Sequence, residues 1–304
     1  MPPKVFGMIS TAKSREYTFP ALQSFFAYTP LKADDEFHLI DNDAGSLDPA
    51  DLKQRFPFVR LTVNPEQRSF AANMNSVFKT AQSRAADAYL LNNDLIFAPN
   101  WLTPLLLDEP CVLSSVSNMQ FSYVTGTLQL RMSMSLPDFA GREREFLAIV
   151  KRHQEKHGGY EIVPSFPFYC VKIPKSVYDQ VGFLDEAYSK AGFEDADYTV
   201  RCWEKGLPLC FATGSFVLHF YGKSSWQADS GAEPIHPDPK IGKRGEMLFR
   251  KRWGDEMTAM FAVQTPEGTE KLQKRIRQST IDCLTQIAKE GRKYRDQQDE
   301  SDEL

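Results

Sequence analysis

No stretch of this chain approaches the ~20 consecutive apolar residues that a membrane-spanning helix needs. The N-terminus, MPPKVFGMISTAK, lacks the ordered basic, apolar and small-residue regions of a secretory signal. Cysteine is sparse. Cys111, Cys170, Cys202, Cys210 and Cys283 are scattered, odd in number and never at CxxC spacing. That pattern argues for reduced thiols and against a disulfide framework or a zinc site. Positive charge is not in excess either: 36 Lys and Arg against 40 Asp and Glu leave a formal charge of -4, so nothing draws the whole chain toward nucleic acid or anionic lipid. There are no internal repeats. The closing residues SDEL resemble a retention signal, but after DQQDE and without a leader they read as an acidic tail. These absences imply a soluble cytoplasmic protein, peripheral at a membrane at most.

What is present has the balance of a folded enzyme. The 304 residues suffice for one large α/β domain or two small ones, with 42% hydrophobic and 25% charged residues. The run KVFGMIS at 4–10 predicts a buried strand, followed by a helix near 19–27. Further strands are expected at 37–40, 59–63, 88–91, 169–173, 209–212 and 216–219. Helices are expected at 49–55, 71–84, 138–157, from Pro174 to Gln180, and from Glu194 to a stop at Gly206. Alternating strands and helices predict an α/β fold with a mostly parallel sheet. Ligands of such sheets bind beyond the carboxyl ends of the strands. Two acidic turns, at 41–43 and 92–94, fall at such ends. From about Thr265 the composition turns polar and charged. Leu272, Ile276, Cys283 and Ile287 form a thin apolar stripe there. This predicts a helical tail over 263–304 that packs on a body of 1–262 or joins a second copy in a homo-oligomer, with its last residues disordered.

Three constellations carry chemistry. Asp94, in Asn92-Asn93-Asp94, is either a hydrogen-bonding turn residue or an oxygen ligand for a hard divalent cation. Asn92 projects to the same side in an extended segment and adds a neutral donor. Glu194, Asp195 and Asp197 crowd a first helical turn. They are either dipole-favoured capping residues or include a general base for an attacking hydroxyl. His219 ends the strand FVLHF. It is either a satisfied core histidine or a further metal ligand, and carboxylate plus imidazole suits Mn²⁺ better than Mg²⁺.

The stretches HLIDNDAGS, SFAANMNSVFKTAQSRAADAYLLNNDLIFAPNWL, VYDQVGFLDEAYSKAGFEDADYTVRCWEKG, FVLHFYGKSS and LFRKRWG, in this order, resemble family 2 glycosyltransferases of the GT-A fold. The similarity is greatest to their rhamnosyltransferase-like, non-processive branch and runs from near residue 4 to about 254. It implies an inverting enzyme that moves one sugar from a nucleotide diphosphate sugar to an acceptor hydroxyl with a divalent cation. Asp41 and Asp43 would hold the nucleotide base, and Asn92 and Asn93 would line the donor site. Asp94 would be the retained acid of the DxD metal motif, joined by His219. Asp195 would be the base, with Glu194 as the alternative. The glycine-rich stretch usual before the asparagine helix is replaced by EQRSFAAN, so Arg68 either contacts the diphosphate or only replaces a turn. The QxxRW motif of processive synthases is missing. The acceptor stays open among a glycan, a lipid-linked sugar, a protein and a modified nucleic acid. The basic stretches KIGKRGEMLFRKR and KLQKRIR either face an anionic acceptor or form solvated helix faces.

Two rival readings have distinct marks. A sugar nucleotidyltransferase usually carries a glycine-rich phosphate loop after its first strand, where this chain has STAKSREYTFP. A catalytically inactive nucleotide-sugar-binding module has no need to keep Asp94, Asp195 and His219.

Overall fold

The computed structural model describes residues 1–43, 45–118, 135–188, 192–220, 222–223, 239–263, 265, 267–268 and 270–271, with the side chains of 239–242 left out. Its strands are β1 (Lys4–Ser10), β2 (Glu36–Asp41), β3 (Val59–Val63), β4 (Asp87–Leu91), β5 (Leu95–Phe97), β6 (Val112–Ser117), β7 (Tyr160–Ile162), β8 (Cys170–Ile173) and β9 (Leu209–His219). Its helices are α1 (Arg15–Tyr28), α2 (Pro49–Arg55), α3 (Phe70–Ser83), α4 (Leu136–Phe139), α5 (Glu143–Lys156), α6 (Lys175–Val181), α7 (Glu194–Glu204) and α8 (Pro239–Met257). Gly254, at φ 82°, interrupts α8.

Among the described residues the strands form one sheet in the order β3-β2-β1-β4-β8-β6-β9-β5, with β7 also on β9. The β3-β2-β1-β4 half is parallel throughout. The other half mixes a parallel β6–β9 pair with antiparallel pairs. Uninterrupted parallel pairing is thus confined to one half, because β8 enters the sheet reversed between β4 and β6.

Successive residues of a strand point to opposite faces. Val5, Ile40 and Leu90 accordingly join an apolar cluster with Val77 and Phe78 of α3 and Tyr198 and Trp203 of α7. Phe6, Leu39 and Leu91 join Phe25 of α1, Phe97 and Trp101 on the other face. The central strands are covered on both sides and therefore read as continuous apolar runs. A Cβ built on Gly7 would sit 2.3 Å from Val77 Cγ2, so glycine lets α3 lie directly on β1.

Several boundaries differ from the sequence expectation. Helix α1 starts four residues before position 19, because Ser14 and Thr18 turn inward to hydrogen-bond Asn93. The helix expected over 138–157 is two, α4 and α5, separated at Gly141 with φ 85°. The two strands expected at 209–212 and 216–219 are the single β9, whose register with β6 slips between Ala212 and Phe216. Strands β5, β6 and β7 had no counterpart in the pattern. In β6, VLSSVS, buried serines hide the apolar period, and they hydrogen-bond Cys170 and Ser215 instead. The tail stripe Leu272, Ile276, Cys283 and Ile287 lies outside the described residues.

Candidate active site

Strands β1 and β2 run in register, with Ser10 opposite Asp41, and β4 flanks β1 with Leu91 opposite Met8. Their carboxyl ends therefore open on one edge of the sheet. Asp41 is fully buried. Its carboxylate accepts from Ser46 Oγ at 2.8 Å, Leu47 N at 3.0 Å and Asp43 N at 3.2 Å. It holds its own turn. Asp43 is half-buried and faces outward, accepting from Ala12 N and Gln67 Nε2, each at 3.0 Å. Arg68 is exposed, and its guanidinium has no ion-pair partner among the described residues. Its main chain is pinned by Asn42, which accepts from Arg68 N at 2.9 Å and donates to Arg68 O at 3.0 Å. Asn64 Nδ2 then donates to both Asn42 and Asn73. An asparagine lattice thus ties the ends of β2 and β3 to the start of α3.

The turn after β4 sorts its three polar residues. Asn92 is half-buried and its N–H donates to Tyr169 O at 2.8 Å. Asn93 is fully buried and turns toward α1, donating to Ser14 Oγ at 2.7 Å and Thr18 Oγ1 at 2.8 Å. Asp94 is also fully buried. Its Oδ2 accepts from the main-chain N–H of Lys223 at 3.0 Å, while its Oδ1 accepts no hydrogen bond among the described residues. That free oxygen lies 3.4 Å from His219 Nε2.

The pairing of β5 with β9, Leu95 opposite His219, brings these distant residues together. Asn118 Oδ1 accepts from His219 N at 2.7 Å, and Tyr169 stacks on the imidazole at 4.9 Å. Two ligands bonded to one cation at ~2.1 Å, about a right angle to a tetrahedral angle apart, are separated by roughly 3.0–3.4 Å. The Asp94–His219 spacing and the carboxylate–imidazole donor set fit a divalent ion. No group of three or more such ligands occurs among the described residues, so any remaining ligands would come from a bound substrate or water.

Helix α7 sorts its acids as sharply. It starts after Gly192 and Phe193, both left-handed at φ 105° and φ 76°. For Phe193 this conformation costs on the order of 1–3 kcal/mol. Helix α8 braces the turn: a Cβ on Gly245 would come within 2.8 Å of both Gly192 O and the Phe193 ring. Asp197 is buried and fully engaged, accepting from Arg201 Nε at 2.8 Å, Trp253 Nε1 at 2.9 Å and Tyr188 OH at 3.2 Å. Its role is to join α7 to α8. Asp195 is only half-buried. Its carboxylate accepts from Ala196 N at 2.7 Å and from Phe168 N, and desolvation holds its pKa above the ordinary range. Glu194 is buried, and its Oε2 has no hydrogen-bond partner among the described residues. Burial first, then the charge of Asp195, pushes its pKa up to about 8.

Segment 168–169 links the two centres. Phe168 N donates to Asp195. Tyr169 O accepts from Asn92, and its ring covers His219. Sequence reasoning placed a strand at 169–173 but gave Phe168 and Tyr169 no role, because their contribution is mostly main chain. It also missed Asn42, Asn64, Asn73, Asn75 and Asn118. The signal for two of them was visible: Asn73 and Asn75 lie inside a helix they disfavour. Asn75 bonds Leu184 O and N and the Glu186 carboxylate, which explains why the blocks SFAANMN and GFLDE occur together.

The Glu194 shift carries a stability consequence. Its folded pKa is raised, so its favourable contribution is complete below the unfolded value of about 4.5 and is lost as pH rises through about 8. Glu194→Gln mimics the neutral acid. It should melt like wild type near pH 4.5 and above wild type at pH 9. Parallel melting curves of the two proteins across this range would refute the burial argument.

No protein-family model matches the chain, and no curated protein matches it. Similar solved structures do exist. GalNAc-T7, determined with UDP, GalNAc and Mn²⁺, aligns at TM-score 0.58 and 16% identity, over 95% of this chain and 55% of that one. The mannosyltransferase PcManGT from Pyrobaculum calidifontis, in complex with GDP-Man and Mn²⁺, aligns at TM-score 0.50 and 12% identity, over 96% of this chain and 74% of that one. The chain spans about half the length of the first. The shared architecture is the GT-A fold.

Proposed function

We propose that the chain is a metal-dependent, inverting glycosyltransferase of the family 2, rhamnosyltransferase-like type, with residues 1–262 as its catalytic domain. The observation that carries this reading is the joining of two centres by residues 168 and 169. One is the Asp94–His219 pair, with a bare carboxylate oxygen; the other is the half-buried Asp195. The two solved structures named above hold Mn²⁺, one with UDP and GalNAc and the other with GDP-Man. This supports a nucleotide diphosphate sugar as donor.

In this reading Asp43 meets the nucleotide base, and Asp41 shapes the turn that presents it. Arg68 and Asn92 face the donor, and Asn93 anchors the metal turn to α1. Asp94 and His219 hold the cation, Mn²⁺ in preference to Mg²⁺ because of the imidazole. When bound, the cation neutralises charge on the departing diphosphate. The acceptor hydroxyl attacks the anomeric carbon on the face opposite the leaving group, and Asp195 takes its proton. Glu194, largely protonated near neutral pH, leaves Asp195 as the ionised partner of the pair. Orienting the two substrates and stabilising developing charge supply most of the acceleration.

Ligand addition and metal removal test the reading together. With Mn²⁺, UDP or GDP at about a hundred times its Kd should stabilise the protein by about 2.7 kcal/mol, raising the melting temperature. Chelation with EDTA should reverse the rise. A melting temperature unmoved by every nucleoside diphosphate and nucleotide sugar tried with Mn²⁺ would end the proposal.

A further inference from the structure

The segment after β9 contains a cation that the reading above does not use. Phe220 N donates to Asp94 O at 3.0 Å, and Gly222 turns the chain at φ 72°. Lys223 N then donates to Asp94 Oδ2 at 3.0 Å. The metal-site carboxylate is thereby ligated by the main chain of a lysine, while the lysine ammonium makes no ion pair among the described residues. Lys223 is half-buried. A lysine that is half-buried, has no ion-pair partner among the described residues and is anchored through its main chain to a fully buried carboxylate is placed to meet an anion, because burial weakens the competition of water for its ammonium.

Reach fixes where that anion lies. One N–Cα bond of ~1.46 Å beyond a 3.0 Å hydrogen bond puts the Lys223 Cα within about 4.5 Å of Asp94 Oδ2. The four-carbon stem then sweeps the ammonium through roughly 6 Å. That volume includes the space in front of Asp94 Oδ1 and His219. Asp94 and His219 contribute one formal negative charge between them when the imidazole is neutral. The diphosphate of a nucleotide sugar carries as much negative charge as one divalent ion cancels, so the charge of Asp94 is left in excess. A second fixed cation is therefore called for on electrostatic grounds, and Lys223 is held at that point by the same carboxylate that faces the metal.

We propose that Lys223 is a donor-binding residue whose ammonium contacts the diphosphate of the nucleotide sugar beside Asp94. This rests on the glycosyltransferase reading of the site. The hydrogen bond from Lys223 N to Asp94 fixes the residue whatever its side chain, so substitutions change the charge and leave the anchor.

Titration calorimetry of UDP and GDP in the presence of Mn²⁺ tests this, on wild type, Lys223→Met and Lys223→Arg. Lys223→Met should weaken whichever diphosphate wild type binds by roughly 10- to 100-fold, the range of a charge-assisted hydrogen bond. Lys223→Arg should stay within about 3-fold, since guanidinium also binds phosphate. The Lys223→Met deficit should shrink as salt rises. Unchanged diphosphate affinity in Lys223→Met overturns the inference and leaves the glycosyltransferase reading standing. Equal loss in both variants also overturns it, because the cause is then the loop and not the charge. Failure of wild type to bind either diphosphate overturns both proposals.

Discussion

Asp195→Asn should slow sugar transfer by roughly 10²- to 10⁴-fold, the usual contribution of a positioned general base, while leaving donor and Mn²⁺ affinity within a few-fold of wild type. The argument is one of elimination inside a single helical turn. Asp197 is committed to Arg201, Trp253 and Tyr188. Glu194 is buried and its carboxyl is driven toward the neutral form. Asp195 alone is both partly open to solvent and held in place, by Ala196 N and Phe168 N. Adjacent helical residues project about 100° apart, so Glu194 and Asp195 do not address the same point. The amide of the variant still accepts from Ala196 N but no longer takes a proton. A second signature is the pH profile. Desolvation raises the Asp195 pKa, and catalysis needs its ionised form. Activity should therefore fall as pH drops through a value above the ordinary aspartate range, and that limb should vanish in the variant. Full loss of transfer in Glu194→Gln with transfer retained in Asp195→Asn would reverse the assignment. Unimpaired transfer in both would make the acidic turn a helix cap.

Asp94→Asn should reduce Mn²⁺-dependent donor affinity by about 10²-fold or more, close to 3 kcal/mol at 1.4 kcal/mol per decade. The asparagine retains an oxygen that can accept from Lys223 N, so the segment after β9 keeps its anchor. What it loses is the charge and the bare Oδ1 aimed at His219. Melting temperature without ligand should stay near that of wild type, and the Mn²⁺-dependent rise with nucleotide should disappear. Equal nucleotide affinity in wild type and variant, with and without Mn²⁺, would remove Asp94 from the metal site. His219→Ala is a weaker test of the same point, because it also removes the ring that Tyr169 stacks on.

Much of this architecture was legible because it follows from local rules. The run KVFGMIS, the strand ending in Asp41 and the strand before Asn92 are short, apolar and stopped by turn residues, so both strand identity and strand direction could be read. The acids at 41–43 and 92–94 then fell at strand ends by position alone. Local rules failed where a neighbouring segment made the decision. Strand β6 carries three serines and is still fully buried, and Cys170 and Ser215 satisfy the hydroxyls of Ser114 and Ser115. Strand β9 continues through Thr213–Ser215 because β6 absorbs the slip in register.

The sequence by itself determined the alternation of strands and helices, the family that it resembles, and the few acids and the one histidine from which a site would be built. It did so because strand period, turn chemistry and residue type are properties of neighbours along the chain. Only the tertiary structure decided what each of those groups is. Glu194, Asp195 and Asp197 are the same functional group within four residues. They diverge into a buried, proton-retaining acid, a half-open carboxylate and a structural ion-pair partner. The causes are remote: main chain at Phe168, the indole of Trp253 and the turn braced by Gly245. Likewise Asp94 and His219, 125 positions apart in number, become neighbours only because β5 pairs with β9. A carboxyl group's chemistry is set by its desolvation and its partners, and in this protein both are supplied by segments far away along the chain.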